Sequence, residues 1–262
     1  CIRDSNQTLE SIDQGMRQGL AQYAKELTQW VHEKQRITTT IKQALGQDNA
    51  VQFLLAAKQA GDFDDAYIGF TEPGHHVFTH PMPEGYNASQ RPWFKAAAQA
   101  GKPLMTEAYV DASSGKLTLS FAEPVYSQGQ LSSVVGTDMH LDTFMRTVNA
   151  IEVEAKSFAI LLDSQGQVMV PPSNRAELTL KPVASFLPQW GRAAIAALTQ
   201  AEGHQELTLA GQDLMQCGVA VQGTPWTLLV AVDRNAALRS LNVLMALAVG
   251  CLLYTSPSPR DC

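Results

Sequence analysis

Basic residues are few in this chain and nowhere gathered: 19 Lys and Arg stand against 25 Asp and Glu, for a formal net charge of −6. Without a basic run or stripe there is no electrostatic basis for holding a phosphate backbone, which excludes nucleic acid as a partner. Cysteine is nearly absent. The 4 cysteines, Cys1, Cys217, Cys251 and Cys262, have neither metal-ligand spacing nor the density of a disulfide framework, so Cys217 is expected as a small buried hydrophobe. His75, His76 and His80 lack an acidic or cysteine partner at ligand spacing, and adjacent strand residues point to opposite faces, so no metal site is expected. Asp62, Asp64 and Asp65 flank Phe63 without the ligand order and glycine of a calcium loop and read as a solvated turn. Ser113, Ser114 and Ser120 have no histidine and acid to activate them. Hence no catalytic nucleophile, no enzyme activity and no cofactor are expected.

A complete membrane-spanning run is missing too. Leu241 to Gly250, behind Arg239, begins like a span but stops short of the about 20 apolar residues a crossing needs. We read residues 235–250 as the truncated start of a transmembrane helix. Residues 251–262, a Ser/Pro tail, resemble the in-frame translation of a transposon adapter used in preparing sequencing libraries. The chain opens at Cys1 without an initiating Met, and a first span is expected to precede it.

What is present at the start is an amphipathic pattern, with Leu9, Ile12, Met16, Leu20, Tyr23, Leu27, Trp30, Ile37, Ile41 and Leu45 at helical spacing. It predicts one long helix over residues 1–49. Strand, turn and strand follow over Ala66 to His80, with Gly74 in the turn. After the Pro/Gly-punctuated loop Pro81-Met-Pro-Glu-Gly-Tyr86, Gln90 to Gly101 reads as a short alanine-rich helix. Met105 to Val110 reads as a strand that puts Tyr109 and Asp111 on one face. Leu117 to Tyr126 and Leu131 to Asp138 are two more strands, joined by a hairpin at Ser127-Gln-Gly-Gln130 and ended by Asp138.

The pattern recurs weakly. Phe158 to Val170 repeats the first strand pair around Gly166, and Leu207 to Asp233 repeats the later strands with turns at Gly211 and Gly223. Two α+β modules on one long helix are therefore expected, with the boundary near Asn149 to Lys156 after a helix from Thr143 to Ile151.

The chemistry concentrates between Tyr86 and Asp138. Arg91 is a fixed cation able to hold a carboxylate through paired charge-assisted hydrogen bonds. Asp111, Asp138 and the phenol of Tyr86 can accept the three donors of an ammonium, while Trp93, Phe94 and Tyr109 supply aromatic walls. Such a set suits a zwitterion, in particular a free amino acid. Taken singly, an Arg-Pro-Trp at a helix start is also ordinary packing and an Asp at a strand end an ordinary cap.

The strings Arg91-Pro-Trp-Phe-Lys-Ala, Thr106-Glu-Ala-Tyr-Val-Asp-Ala-Ser-Ser-Gly-Lys, Pro124-Val-Tyr and Val134-Val-Gly-Thr-Asp138 resemble the double Cache sensor domain of bacterial methyl-accepting chemotaxis receptors. The likeness covers most of Ala50 to Leu141. Tyr86, Arg91, Trp93, Tyr109, Asp111 and Asp138 match the amino-acid-binding subgroup, and Phe94 departs from it where that subgroup usually has Tyr. The resemblance implies that Arg91 and the Trp93 indole hold the ligand carboxylate, that Tyr86, Asp111 and Asp138 hold its amino group, and that Tyr109 lines the wall.

It also implies a fold of two tandem PAS-like antiparallel-sheet modules. A membrane-distal, ligand-binding module would span residues 50–150 and a membrane-proximal one 151–234. The implied setting is the periplasmic side of the inner membrane, between flanking transmembrane helices, in a homodimeric receptor. The second module has Pro171, Pro172 and Arg175 in its corresponding loop but no Arg-x-Trp or Tyr-x-Asp, so binding is expected in the first. Trp190 and Trp226 read as core or interface aromatics. The same sensor on a histidine kinase or diguanylate cyclase, a pocket retuned to taurine or amines, an extracellular hydrolase and a free solute-binding protein are the alternatives.

Overall fold

The computed structural model describes residues 2–149, 157–172, 175–185, 187–200, 205–209 and 212–233. Most of the expected module boundary, the apolar stretch 235–250 and the tail 251–262 lie outside them. Among the described residues no helix is long and apolar enough to cross a membrane.

The chain opens with α1 (Ile2–Thr40), which continues as a 3₁₀ turn over Ile41–Ala44. The α-helix thus ends earlier than its apolar repeat predicts. Thr38 and Thr40 turn their hydroxyls back onto the carbonyls of Lys34 and Ile37 at 3.0 and 2.6 Å. These side chains compete with the helical ladder and bend or end it. A separate helix, α2 (Ala50–Ala60), follows.

Two compact units are present: Lys25–Ile151 with Gln222–Thr224, and Cys1–Ala24 with Glu152–Val221 and Pro225–Cys262. In the first, β1 (Asp65–Phe70), β2 (His76–Phe78), α3 (Pro92–Ala100), β3 (Leu104–Met105), β4 (Tyr109–Val110), β5 (Leu117–Ser127), β6 (Gln130–His140) and α4 (Leu141–Asn149) follow in order. The strands form an antiparallel sheet ordered β2-β1-β6-β5-β3, with β4 also on β5. The second unit contains β7 (Ser157–Leu162), β8 (Val168–Val170), α5 (Arg192–Gln200), β9 (Gln205–Leu209), β10 (Gln212–Ala220) and β11 (Thr227–Asp233). Its sheet runs β8-β7-β11-β10-β9, the same order as the first. The internal repeat is therefore one of topology as well as of pattern. This is a mixed helix and antiparallel-sheet fold built on a long N-terminal helix.

Strand alternation gives the first sheet two faces. Ala66, Ile68 and Val135 point one way and join Ile41, Ala44, Leu54 and Ala57 in a dry cluster beneath the helices. On that face Trp30 of α1 packs against Phe121 and Phe144, with ring centroids 5.9 and 5.7 Å apart. Each large side chain so buried contributes about 1.5–3 kcal/mol. Glu123 points the same way and accepts from Thr39 and Lys42. Tyr67, Ala122 and Val134 point to the other face, where they meet Ala88, Trp93, Phe94 and Ala97.

The β5–β6 hairpin closes on Gln128 and Gly129, both at positive φ (50° and 80°). That is the conformation a two-residue hairpin loop prefers. A bulge between Val125 and Tyr126 then shifts the register by one. As a result Ser120 rather than Leu119 lies opposite Asp138.

Candidate ligand-binding site

The outer face of the first sheet forms the floor of the site. Asp65 and Tyr67 of β1, Gly136 and Asp138 of β6 and Ser120 of β5 share this face, because Asp65 pairs with Asp138, Tyr67 with Gly136 and Ser120 with Asp138. Gly69 and Gly136 let rings lie directly on the backbone: a Cβ at the first would run into Trp93 and at the second into Tyr67. Helix α3 sits over this floor. Pro92 occupies its first turn behind an extended Arg91, a position where the missing proline N–H costs nothing. Its buried side is Trp93, Phe94 and Ala97.

The walls are aromatic. Tyr67 stacks on Phe78 at 4.9 Å and tilts against Trp93 at 4.5 Å. Trp93 meets Phe94 edge-on at 5.5 Å, and Tyr86 packs edge-on against Phe78 and His76 at 5.4 and 5.3 Å. The Arg91 guanidinium carbon lies 6.0 Å from the Tyr86 ring centroid, a cation–π arrangement. Among the described residues Arg91 makes no ion pair.

At the centre is Asp138, 6% exposed. Its Oδ1 accepts from Tyr67 Oη at 2.5 Å and from Ser120 Oγ at 2.6 Å. Ser120 Oγ also lies 2.7 Å from Tyr109 Oη. Since the serine proton is committed to Asp138, Tyr109 donates to the serine, and a relay runs from Tyr109 through Ser120 to Asp138. Both bonds fall on Oδ1, which leaves Oδ2 for a further donor. Burial pushes the Asp138 carboxyl up to about 7; the Ser120 and Tyr67 hydrogen bonds oppose this, and the charges of Asp111 and Asp65 add to it. Burial likewise raises Tyr86 to about 12, against the pull of Trp93 and Arg91. It raises Tyr67 and Tyr109 as well, with the Asp138 charge as the next cause.

The structure therefore brings Tyr86 and Arg91 together, Trp93 and Phe94 together, and Tyr109 and Asp138 onto one serine. Asp111 departs from the expected geometry. The predicted strand from Met105 to Val110 is two short ones, because the Thr106 hydroxyl takes the place of a backbone acceptor for the Ser120 N–H at 3.0 Å. Just past β4, Asp111 opens a turn rather than lying beside Tyr109 on a strand face. Its Oδ2 accepts from the backbone and hydroxyls of Ser113 and Ser114 at 2.7–3.1 Å. Burial acts to raise this carboxyl, and the four serine bonds outweigh it and hold it below its ordinary value. Its charge still reaches Asp138, Tyr86 and Tyr109.

Two further expectations are corrected. Asp138 does not end its strand, since β6 continues to His140, whose N–H donates to Asp64 at 2.7 Å. Nor are Asp64 and Asp65 a solvated turn: Asp64 also pairs with the His140 ring at 2.9 Å, and Asp65 is 8% exposed. Of the residues on the floor, Tyr67 is not singled out by the sequence, and Asp65 and Ser120 are expected there only as part of a solvated turn and as a serine without activating partners. A signal exists only for the β1 pair, which stands two residues apart on a strand; Ser120 depends on the bulge.

The second unit has no comparable polar set among its described residues. Leu214, buried, lies opposite Asp233 where the first unit has Ser120 opposite Asp138. Beneath α5, Leu162, Leu178, Leu187, Trp190, Leu198 and Leu214 fill the space. Trp190 donates to Gln216 Oε1 at 2.5 Å, and Trp190 and Trp226 are both buried. Arg175 is exposed and pairs with Glu177. Cys217 is a buried free thiol that burial raises to about 11.

Comparison with known proteins adds a family. The profile of the Cache domain matches residues 4–241. Methyl-accepting chemotaxis protein McpA of Pseudomonas putida is 30% identical over 259 residues, 95% of this chain and 39% of that protein. Methyl-accepting chemotaxis protein PctB of Pseudomonas aeruginosa is 25% identical over 231 residues, 86% of this chain and 36% of that one. The chain thus spans about two fifths of the length of the curated relatives it matches. Among solved structures, the ligand-binding domain of the Pseudomonas fluorescens chemoreceptor CtaA, in complex with L-isoleucine, has a TM-score of 0.75 at 23% identity, covering 90% of this chain and 98% of that one. The ligand-binding domain of the Pseudomonas aeruginosa chemoreceptor PctC, in complex with GABA, has a TM-score of 0.66 at 24% identity, covering 85% and 99%. At these identities the likeness to the solved structures is one of fold.

Proposed function

Because the chain belongs to the Cache domain family, we propose that it is the extracytoplasmic ligand-binding part of a transmembrane chemoreceptor, and that its first unit captures a free L-amino acid. The observation that carries this reading is that Arg91, a cation without an ion pair among the described residues, and Asp138, a buried acid bonded there on one oxygen, lie in one site with aromatic walls. A carboxylate suits the first and an ammonium the second. The relatives named as chemotaxis proteins, and the CtaA and PctC domains solved with L-isoleucine and GABA, support the same reading.

In this proposal the first unit is membrane-distal and the second membrane-proximal, and the full receptor is anchored in the inner membrane by segments outside the described residues. The site binds and does not catalyse. Signalling then requires only that the ligand prefer one of two receptor states. Strand β6 is placed to report occupancy, because it carries Asp138 on the pocket face and Thr137 against α1. Phe94 supports a second reading: without a hydroxyl at this buried position, the anion-holding end is weaker, which favours taurine or an amine.

The test is calorimetric titration of the purified chain with the 20 standard L-amino acids, taurine, GABA and simple amines. Micromolar binding of at least one amino acid, lost on Arg91→Ala, supports the reading. Binding of taurine or amines alone moves the assignment to the second, and binding of nothing in the panel ends both.

A further inference from the structure

Asp65 and Asp138 lie directly opposite one another on antiparallel neighbours, so two carboxylates stand side by side on the pocket face. Both are buried, yet their partners differ. Asp65 is fully engaged: Oδ1 accepts from the Ala66 N–H at 2.8 Å and from Thr79 Oγ1 at 2.6 Å, and Oδ2 lies 2.9 Å from His80 Nε2. Asp138 has its two hydroxyl donors on Oδ1. His80 stands between two acceptors, the Asp65 carboxylate on Nε2 and the Pro81 carbonyl on Nδ1 at 3.0 Å. Only the imidazolium donates through both ring nitrogens. The bond to Pro81, the largest cause, and the Asp65 charge hold the His80 pKa above its ordinary value, against burial.

The groups facing Asp138 can be named element by element. Asp65 and Tyr67 come from β1, Ser120 from β5, Tyr109 from β4 and Asp111 from the turn after it. Tyr86 comes from the loop before α3, with Arg91 beyond it. His80 stands behind Asp65, with Lys58 of α2 near enough to act on it.

We propose that Asp65 and His80 are a positioning pair that sets the charge of Asp138, so that capture of an ammonium group there releases a proton and strengthens as pH rises through neutrality. The inference rests on the proposed role of Asp138 as the ammonium acceptor. With His80 protonated, the pair is neutral and Asp138 ionises readily. Where His80 loses its proton, on the high-pH side, Asp65 becomes an uncompensated anion opposite Asp138 and opposes its ionisation, so the gain with pH belongs to the range in which the two acceptors keep His80 an imidazolium. When a ligand ammonium docks, the proton leaves Asp138 for solvent and the ligand keeps its own. The two acids and the imidazole titrate as a set.

The experiment follows the side-chain carboxyl carbons of the 262-residue chain by ¹³C NMR from pH 4 to pH 9, without ligand, in the parent, Asp65→Asn and His80→Gln. The Asp138 midpoint is expected to fall in Asp65→Asn, which removes the facing anion, and to rise in His80→Gln, which strips that anion of its partner. A structural role alone would move neither midpoint. Calorimetry with L-isoleucine and L-arginine, in buffers of different ionisation enthalpy, is the second arm: affinity at pH 8 is expected to exceed that at pH 6 about tenfold, with proton release. Midpoints that stay put, or that move the same way in both variants, overturn the inference even if amino acids bind. Midpoints that move as stated while neither amino acid binds overturn the ammonium reading of Asp138 instead.

Discussion

Thr38 of α1 and Thr137 of β6 share a hydrogen bond at 2.6 Å, and Thr137 is the residue before Asp138. Both threonines are fully buried. Thr38 Oγ1 already donates to the Lys34 carbonyl at 3.0 Å, so Thr137 is the donor in the shared bond. One residue of β6 thus holds the pocket acid and the next holds the long helix, on opposite faces of a single strand.

Thr137→Val removes the donor while keeping volume. Thr38 retains its bond to Lys34, so the expected loss is only about 1 kcal/mol, measured by urea denaturation. The double variant with Thr38→Val also loses the bond to Lys34 and is expected to be less stable than the single by up to about 1 kcal/mol. Affinity for any ligand found is expected to stay within twofold of the parent. A tenfold change would place Thr137 in the pocket's own machinery and remove the separation of faces described above.

Asp138→Asn tests the buried acid by stability as well as by binding. Its folded pKa of about 7 lies above the unfolded value. The folded state therefore holds a proton that the unfolded state gives up, and stability declines as pH rises from about 4 to 7, by on the order of 3–5 kcal/mol from this residue. The asparagine carbonyl keeps both hydroxyl donors, because both fall on Oδ1. The variant is expected to be more stable than the parent at pH 8, with a flatter profile between pH 4 and 7, and to lose ammonium ligands by a hundredfold or more. A melting temperature at pH 8 below the parent's would contradict the assignment of Asp138 as a destabilising acid.

The order of elements was legible because hydrophobic alternation and glycine turns recur in both halves, and the two sheets share one strand order. The site was legible only in part. Arg91, Trp93 and Phe94 sit close in sequence at a helix start, so spacing alone placed them together. Asp111 was misplaced because it opens the turn that follows β4, where its carboxylate is taken up by the backbone and hydroxyls of Ser113 and Ser114. Ser120 was missed for a different reason: the hairpin tip predicts Leu119 opposite Asp138, and only a bulge moves the serine into place. Such one-residue shifts exchange the faces of a strand and leave no mark in composition.

Arg91→Ala separates ligand classes. Since the guanidinium makes no ion pair among the described residues, its loss is expected to leave the melting temperature within 1 °C of the parent. Ligands with a carboxylate are expected to lose about 3 kcal/mol or more, a hundredfold, whereas amines without one are expected to lose little. Arg91→Lys restores charge without the planar fork and is expected to recover only part of the affinity. Equal losses for both ligand types, read by calorimetry, would remove Arg91 as the carboxylate anchor.

Phe94→Tyr adds the hydroxyl that the resemblance to the amino-acid-binding subgroup implies at this position. Phe94 is 4% exposed and packs edge-on against Trp93 near the start of α3, on the same helical turn as Arg91. A phenol reaching the ligand carboxylate there contributes a hydrogen bond to a charged group worth about 1.5–3 kcal/mol, so amino-acid affinity is expected to rise roughly tenfold to a hundredfold with no loss of stability. The alternative has its own signature. A phenol driven into the aromatic cluster instead is buried without a partner, and it would lower stability by about 1–3 kcal/mol while leaving affinity unchanged or weaker. That outcome, in calorimetry paired with urea denaturation, makes Phe94 a packing residue. It would also turn the ligand search toward sulfonates and amines that ask less of the anion-holding end.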